Sequence, residues 1–74
     1  MTPQDYPIPG GIYKHYKGGL YEVLNLSKHT ETDEVLVNYK SLHFGSFYSR
    51  PLDSWNKDIN DVSNGQLKRF VLQK

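Results

Sequence analysis

The stretch from Gly11 to Leu24, GIYKHYKGGLYEVL, sets two adjacent glycines between two runs rich in aromatic and aliphatic residues. Such runs favour strands, and paired glycines supply the positive backbone angles of a tight turn, so the stretch is predicted to form a β-hairpin. With a two-residue loop at Gly18-Gly19, Tyr16 faces Tyr21, His15 faces Glu22, Lys14 faces Val23 and Tyr13 faces Leu24. A loop of odd length would break that register. The pairing sorts Ile12, Tyr16, Tyr21 and Val23 to the core face, and Tyr13, His15, Lys17, Glu22 and Leu24 to the opposite one. Lys14 spoils the first face, and Leu24 with Leu26 spoils the second, which predicts a bulge or a strong bend near Val23 to Leu24.

The remaining chain is also punctuated at short intervals. Pro3, Pro7, Pro9 and Gly10-Gly11 make residues 1–11 a flexible lead-in arm, because proline removes a backbone donor and glycine raises the cost of ordering. The polar run SKHTETDE, residues 27 to 34, reads as a loop in which Thr30 and Thr32 satisfy backbone groups. In VLVNYKSL, Val35, Val37 and Tyr39 alternate with polar and apolar neighbours as in a half-buried strand. Gly45 permits a turn before SFYSRP, a short strand ended by Pro51. Leu52 and Trp55, three apart behind that proline, fit one helical turn. Asn64-Gly65 is the preferred pair for a second hairpin, in which Ile59 would oppose Phe70.

Composition narrows the function. Nine Lys and Arg against eight Asp and Glu give a formal charge of +1, too balanced for a general nucleic-acid binder, although a local basic face is compatible with it. There is no cysteine to form a disulfide framework or a thiolate metal site. No window approaches a membrane span and the N-terminus lacks a secretory signal, so the expectation is a cytoplasmic monomer without membrane contact. Asn25-Leu26-Ser27 matches a glycosylation sequon, which carries no chemistry without export. His15, His29 and His43 lie fourteen residues apart, which is no local metal-ligand spacing, and no cofactor is expected.

Two groups of side chains could carry function. Tyr13, His15, Lys17 and Arg50 would combine aromatic surfaces for stacking with cations for phosphate, as small barrels do when they bind single-stranded nucleic acid. His15 with Glu22 is the single pair that could do acid–base chemistry, but no nucleophile elbow, phosphate loop or carboxylate dyad accompanies it, so no catalysis is expected. The plainer account of the first group is that the tyrosines fill the core while the lysines and His15 solubilise the surface. Arg50 has a plain account too, as the tie between a strand end and an acidic neighbour. The acidic loop Glu31, Asp33 and Glu34 would repel phosphate and must lie away from any such surface.

The segments GIYKHYKGGLYEVL, KHTETDEVLVNYKSL, YSRPLDSW and the late KRF together resemble the domain-of-unknown-function family numbered 1653. The matching positions are Tyr13, His15, Tyr16, Lys17, Gly18, Tyr21, Val23, Glu31, Thr32, Tyr39, Arg50, Pro51, Arg69 and Phe70. The chain departs from the pattern at Tyr48, where the family often carries Trp, and at Trp55, where Phe is more usual. The resemblance implies a bacterial protein with a compact SH3-like β-barrel, and brings no activity with it.

The sequence is therefore expected to form a single all-β domain over residues 12–72. Its form would be a small SH3-like barrel of five or six antiparallel strands around a central Val35 to Leu42 strand, with one short helical turn. The expected function is a non-catalytic binding module that recognises nucleic acid or a nucleotide through Tyr13, His15, Lys17 and Arg50. The alternative is a protein-interaction module using an edge strand or an aromatic patch.

Overall fold

The structure, a computed structural model, describes residues 6–57 and 68–73. Five antiparallel strands form one sheet: β1 (Ile12–His15), β2 (Leu20–Lys28), β3 (Val35–Ser41), β4 (Phe47–Pro51) and β5 (Phe70–Leu72), in the order β4-β3-β2-β1-β5. The helical turn α1 (Leu52–Trp55) follows β4 directly, with Pro51 at its N-cap. The all-β class and the helical turn agree with the sequence expectation. The Asn64-Gly65 turn and the Ile59 strand expected beside it lie outside the described residues.

The first hairpin differs from its expected register. Tyr13 pairs with Tyr21 and Lys14 with Leu20, so the loop holds three residues, Tyr16-Lys17-Gly18. The Gly18 N–H donates to the His15 carbonyl at 2.8 Å and Gly18 has φ +96°, the pattern of a turn closed by a left-handed glycine. This odd loop reassigns the faces. Tyr13 enters the core at 7% exposure, whereas Ile12 falls on the opposite face beside Glu22 and Tyr16 sits in the loop. His15 and Glu22 consequently point to opposite faces of the sheet.

The bulge lies where the sequence places it. Val23 pairs with Tyr39 and Asn25 with Asn38, leaving Leu24 as the extra residue. Its insertion rephases β2, so Tyr21 and Val23 before it and Leu26 after it all face inward. On the outer face, Asn38 Nδ2 donates to Asn25 Oδ1 and Ser27 Oγ, at 2.8 and 2.9 Å. In the acidic loop, the Thr32 hydroxyl accepts from the Glu34 N–H at 3.4 Å, as expected for a loop threonine.

The small all-β class expected from the sequence holds, and among the described residues the sheet curls without closing into a barrel. Tyr39 on β3 and Phe70 on β5 are three strands apart, about 14 Å in a flat sheet. Their ring centroids lie 5.6 Å apart. After β4, Pro51 leads the chain into α1, and Trp55 from that helix stacks on Phe70 at 3.8 Å with 4° between planes. The core formed under this arch comprises Tyr13, Val23, Val37, Tyr39, Leu52, Trp55 and Phe70.

Residues 7–11, within the expected N-terminal arm, are tied to the sheet. Gly10 donates to the Val23 carbonyl at 2.7 Å, Val23 donates back to Gly11 at 3.0 Å, and the Ile8 N–H donates to the Tyr13 hydroxyl at 2.9 Å. The last of these bonds engages the Tyr13 hydroxyl. No helix among the described residues is long and apolar enough to cross a membrane.

Candidate functional site

A small basin of about 170 Å³ opens on the concave side of the sheet, lined by His15, Tyr21, Tyr39, Tyr48, Arg50 and Phe70. Register explains the convergence. Phe70 opposes His15, Tyr48 opposes Tyr39 and Arg50 opposes Val37, and opposed residues share a face. The curl of the sheet then draws residues from all five strands around one hollow.

Each wall is held by packing or by hydrogen bonds. Tyr39 is buried, packs edge-on against Tyr21 at 5.5 Å, and carries the half-exposed Tyr48 stacked on it at 5.5 Å and 28°. Arg50 Nε donates to the Tyr39 hydroxyl at 3.2 Å and Nη1 donates to Ser54 Oγ at 3.2 Å, which fixes the guanidinium between β3 and α1. Its carbon stands 5.8 Å from the Phe70 ring centre, a cation–π distance. Arg50 thus ties a strand end as expected, but to hydroxyls rather than to an acidic neighbour.

His15 packs edge-on against Phe70 at 4.9 Å. The Lys17 N–H donates to its Nδ1 at 3.1 Å, so the neutral ring carries its proton on Nε2. Burial lowers the His15 pKa below the usual histidine value, and Arg50, Arg69 and Lys17 lower it further. All three of those charges are cations. The basin is therefore an aromatic hollow in a positive field, presenting N–H donors.

The depressed pKa fixes a sign for stability. The unfolded chain takes up a proton on this histidine near pH 6.5, before the folded state does, so stability is fully present above that range and declines as pH falls through it toward the folded pKa. Between pH 7.5 and 5.5 the wild type is expected to lose more melting temperature than His15→Asn, which keeps an acceptor for the Lys17 N–H but does not titrate. Equal losses in the two proteins would contradict this assignment.

Of the residues singled out in the sequence, His15 and Arg50 meet in the basin and Lys17 lies on the turn beside it, exposed. Tyr13 is buried and does not line it. Glu22 is on the opposite face, 3.8 Å from Lys40 Nζ, so the His15 and Glu22 acid–base pair does not form. Tyr21, Tyr39, Tyr48 and Phe70 were not singled out. The alternation Tyr48-Ser49-Arg50 was the available signal, since residues two apart on a strand share a face. Of the other hollows, one beside α1 is lined by Glu34 and Asp53, carboxylates that repel phosphate, and one is lined by Tyr6, Tyr13, Trp55 and Lys68. Among the described residues no three of His, Asp and Glu gather as a metal site requires.

Comparison with known proteins bears on the fold. The sequence profile of a family described as "Protein of unknown function (DUF1653)" matches residues 11–72. A crystal structure of a protein of that family from Bordetella bronchiseptica is 35% identical, with a TM-score of 0.76 over 92% of this chain and 87% of the other. No curated protein matches the chain.

Proposed function

The chain belongs to the DUF1653 family, and since membership supplies a fold without an activity, we propose from the basin that it is a non-catalytic module binding single-stranded nucleic acid or a nucleotide. The observation that carries this reading is the placement of Arg50 and His15 among four aromatic rings. Stacking surface and phosphate-binding donors are the two requirements of single-strand recognition. Tyr48 offers ring surface at the lip, Arg50 offers a fork suited to phosphate oxygens, and Lys17 adds charge at the rim. Tyr13, buried and absent from the basin's lining, takes no part in this reading.

Isothermal titration with a 5′-phosphorylated single-stranded DNA octamer tests the reading. If two phosphates are neutralised, log K should fall against log salt with a slope of about −1.4, or roughly sevenfold between 50 and 200 mM. Absence of binding at millimolar octamer would contradict it. A second reading, an apolar contact with another protein, is favoured by the exposure of Phe44 and Phe47 at 78% and 72% around the β3–β4 turn. Such a contact would respond little to salt.

A further inference from the structure

Resting on the nucleotide reading, we infer that the basin recognises a phosphomonoester end, with the terminal phosphate inside the hollow and its base stacked outside on Tyr48. The lining comes from β1, β2, β3, β4 and β5, and the volume of about 170 Å³ accommodates one small group such as a single phosphate.

The donors fit that group. His15 Nε2 and Arg50 Nη2 make no hydrogen bond among the described residues, and neither is sealed from solvent, since no buried side-chain nitrogen or oxygen there lacks a partner. A guanidinium edge and an imidazole N–H both donate, and neither accepts, which suits an oxygen-only ligand. Both groups border the Phe70 ring, His15 at 4.9 Å and the Arg50 carbon at 5.8 Å, so they address the same space. A phosphomonoester carries close to two charges at neutral pH, against one for an internal diester, and gains more from the cations Arg50, Arg69 and Lys17 around it. Tyr48 is backed by Tyr39 on one side and 44% exposed, which leaves ring surface for the base.

The test compares DNA tetranucleotides of one sequence with 5′-phosphate, 3′-phosphate or only hydroxyl ends, titrated into the wild-type protein at fixed ionic strength. A hydroxyl-ended pentanucleotide controls for added charge, and inorganic phosphate controls for the anion alone. At least one phosphorylated end should bind tenfold or more tightly than the hydroxyl-ended strands, and tighter than inorganic phosphate. Tyr48→Ala should erase the advantage of the phosphorylated strand over inorganic phosphate. Equal affinity of phosphorylated and hydroxyl-ended strands would overturn end recognition while leaving nucleic-acid binding intact. Binding of none of them would overturn both.

Discussion

Replacing Trp55 with alanine is expected to destabilise the domain by about 3–5 kcal/mol. Trp55 is 3% exposed, lies flat on Phe70, and meets Tyr13 and Tyr39 edge-on at 5.3 and 5.1 Å. It thereby joins β1, β3 and β5 through ring contacts while belonging to the element directly after β4. A 74-residue chain has a total stability of about 4–11 kcal/mol at typical values per residue. The loss therefore removes from about a quarter to all of the margin, and chemical denaturation should show the midpoint shifted strongly toward zero denaturant. Trp55→Phe keeps an aromatic plane against Phe70 and should cost far less. A Trp55→Ala variant within about 1 kcal/mol of wild type would contradict the role given to Trp55 as the ring that joins β1, β3 and β5.

Changing Arg50 to glutamine is expected to weaken binding of the 5′-phosphorylated octamer by roughly ten- to hundredfold, the worth of one or two charge-assisted hydrogen bonds. Stability should fall as well, by about 1–2 kcal/mol, because Tyr39 and Ser54 lose their donor. The smaller stability effect keeps the experiment interpretable: the variant remains folded while its affinity is measured. Arg50→Lys retains charge but not the planar fork, so its affinity should lie between wild type and glutamine. Equal affinities for wild type and Arg50→Gln would exclude Arg50 from the ligand surface.

The elements were legible in the sequence where local chemistry decides them. Gly18-Gly19 marks the first turn, Pro51 with Leu52 and Trp55 marks α1, and the conflict between Val23 and Leu24 marks the bulge. The register of the first hairpin was not legible, because a glycine pair is compatible with both a two-residue loop and a three-residue loop closed by one left-handed glycine. That one-residue ambiguity exchanges the faces, and with them the roles of Tyr13 and Ile12. Barrel closure depends on long-range geometry, which no local pattern records.

The candidate site divides along the same line. His15 and Arg50 were identified from residue type, a cation or an imidazole among aromatics, and the fold brings them together. Glu22 was assigned through the register and moved to the other face with it. Tyr21, Tyr39, Tyr48 and Phe70 belong to four different strands, and only the curl of the sheet gathers them. Residues assigned to a core by alternation can equally line a hollow when the sheet above them stays open.

The central claim is tested most directly by mapping chemical shifts of the isotopically labelled protein, backbone amides and aromatic side chains together, during titration with adenosine 5′-monophosphate and the 5′-phosphorylated octamer. Shifts concentrated on His15, Lys17, Tyr21, Tyr48, Arg50 and Phe70, and reduced at higher salt, are the predicted result. No shifts at millimolar ligand, or shifts confined to the outer face around Phe44 and Phe47, would contradict it.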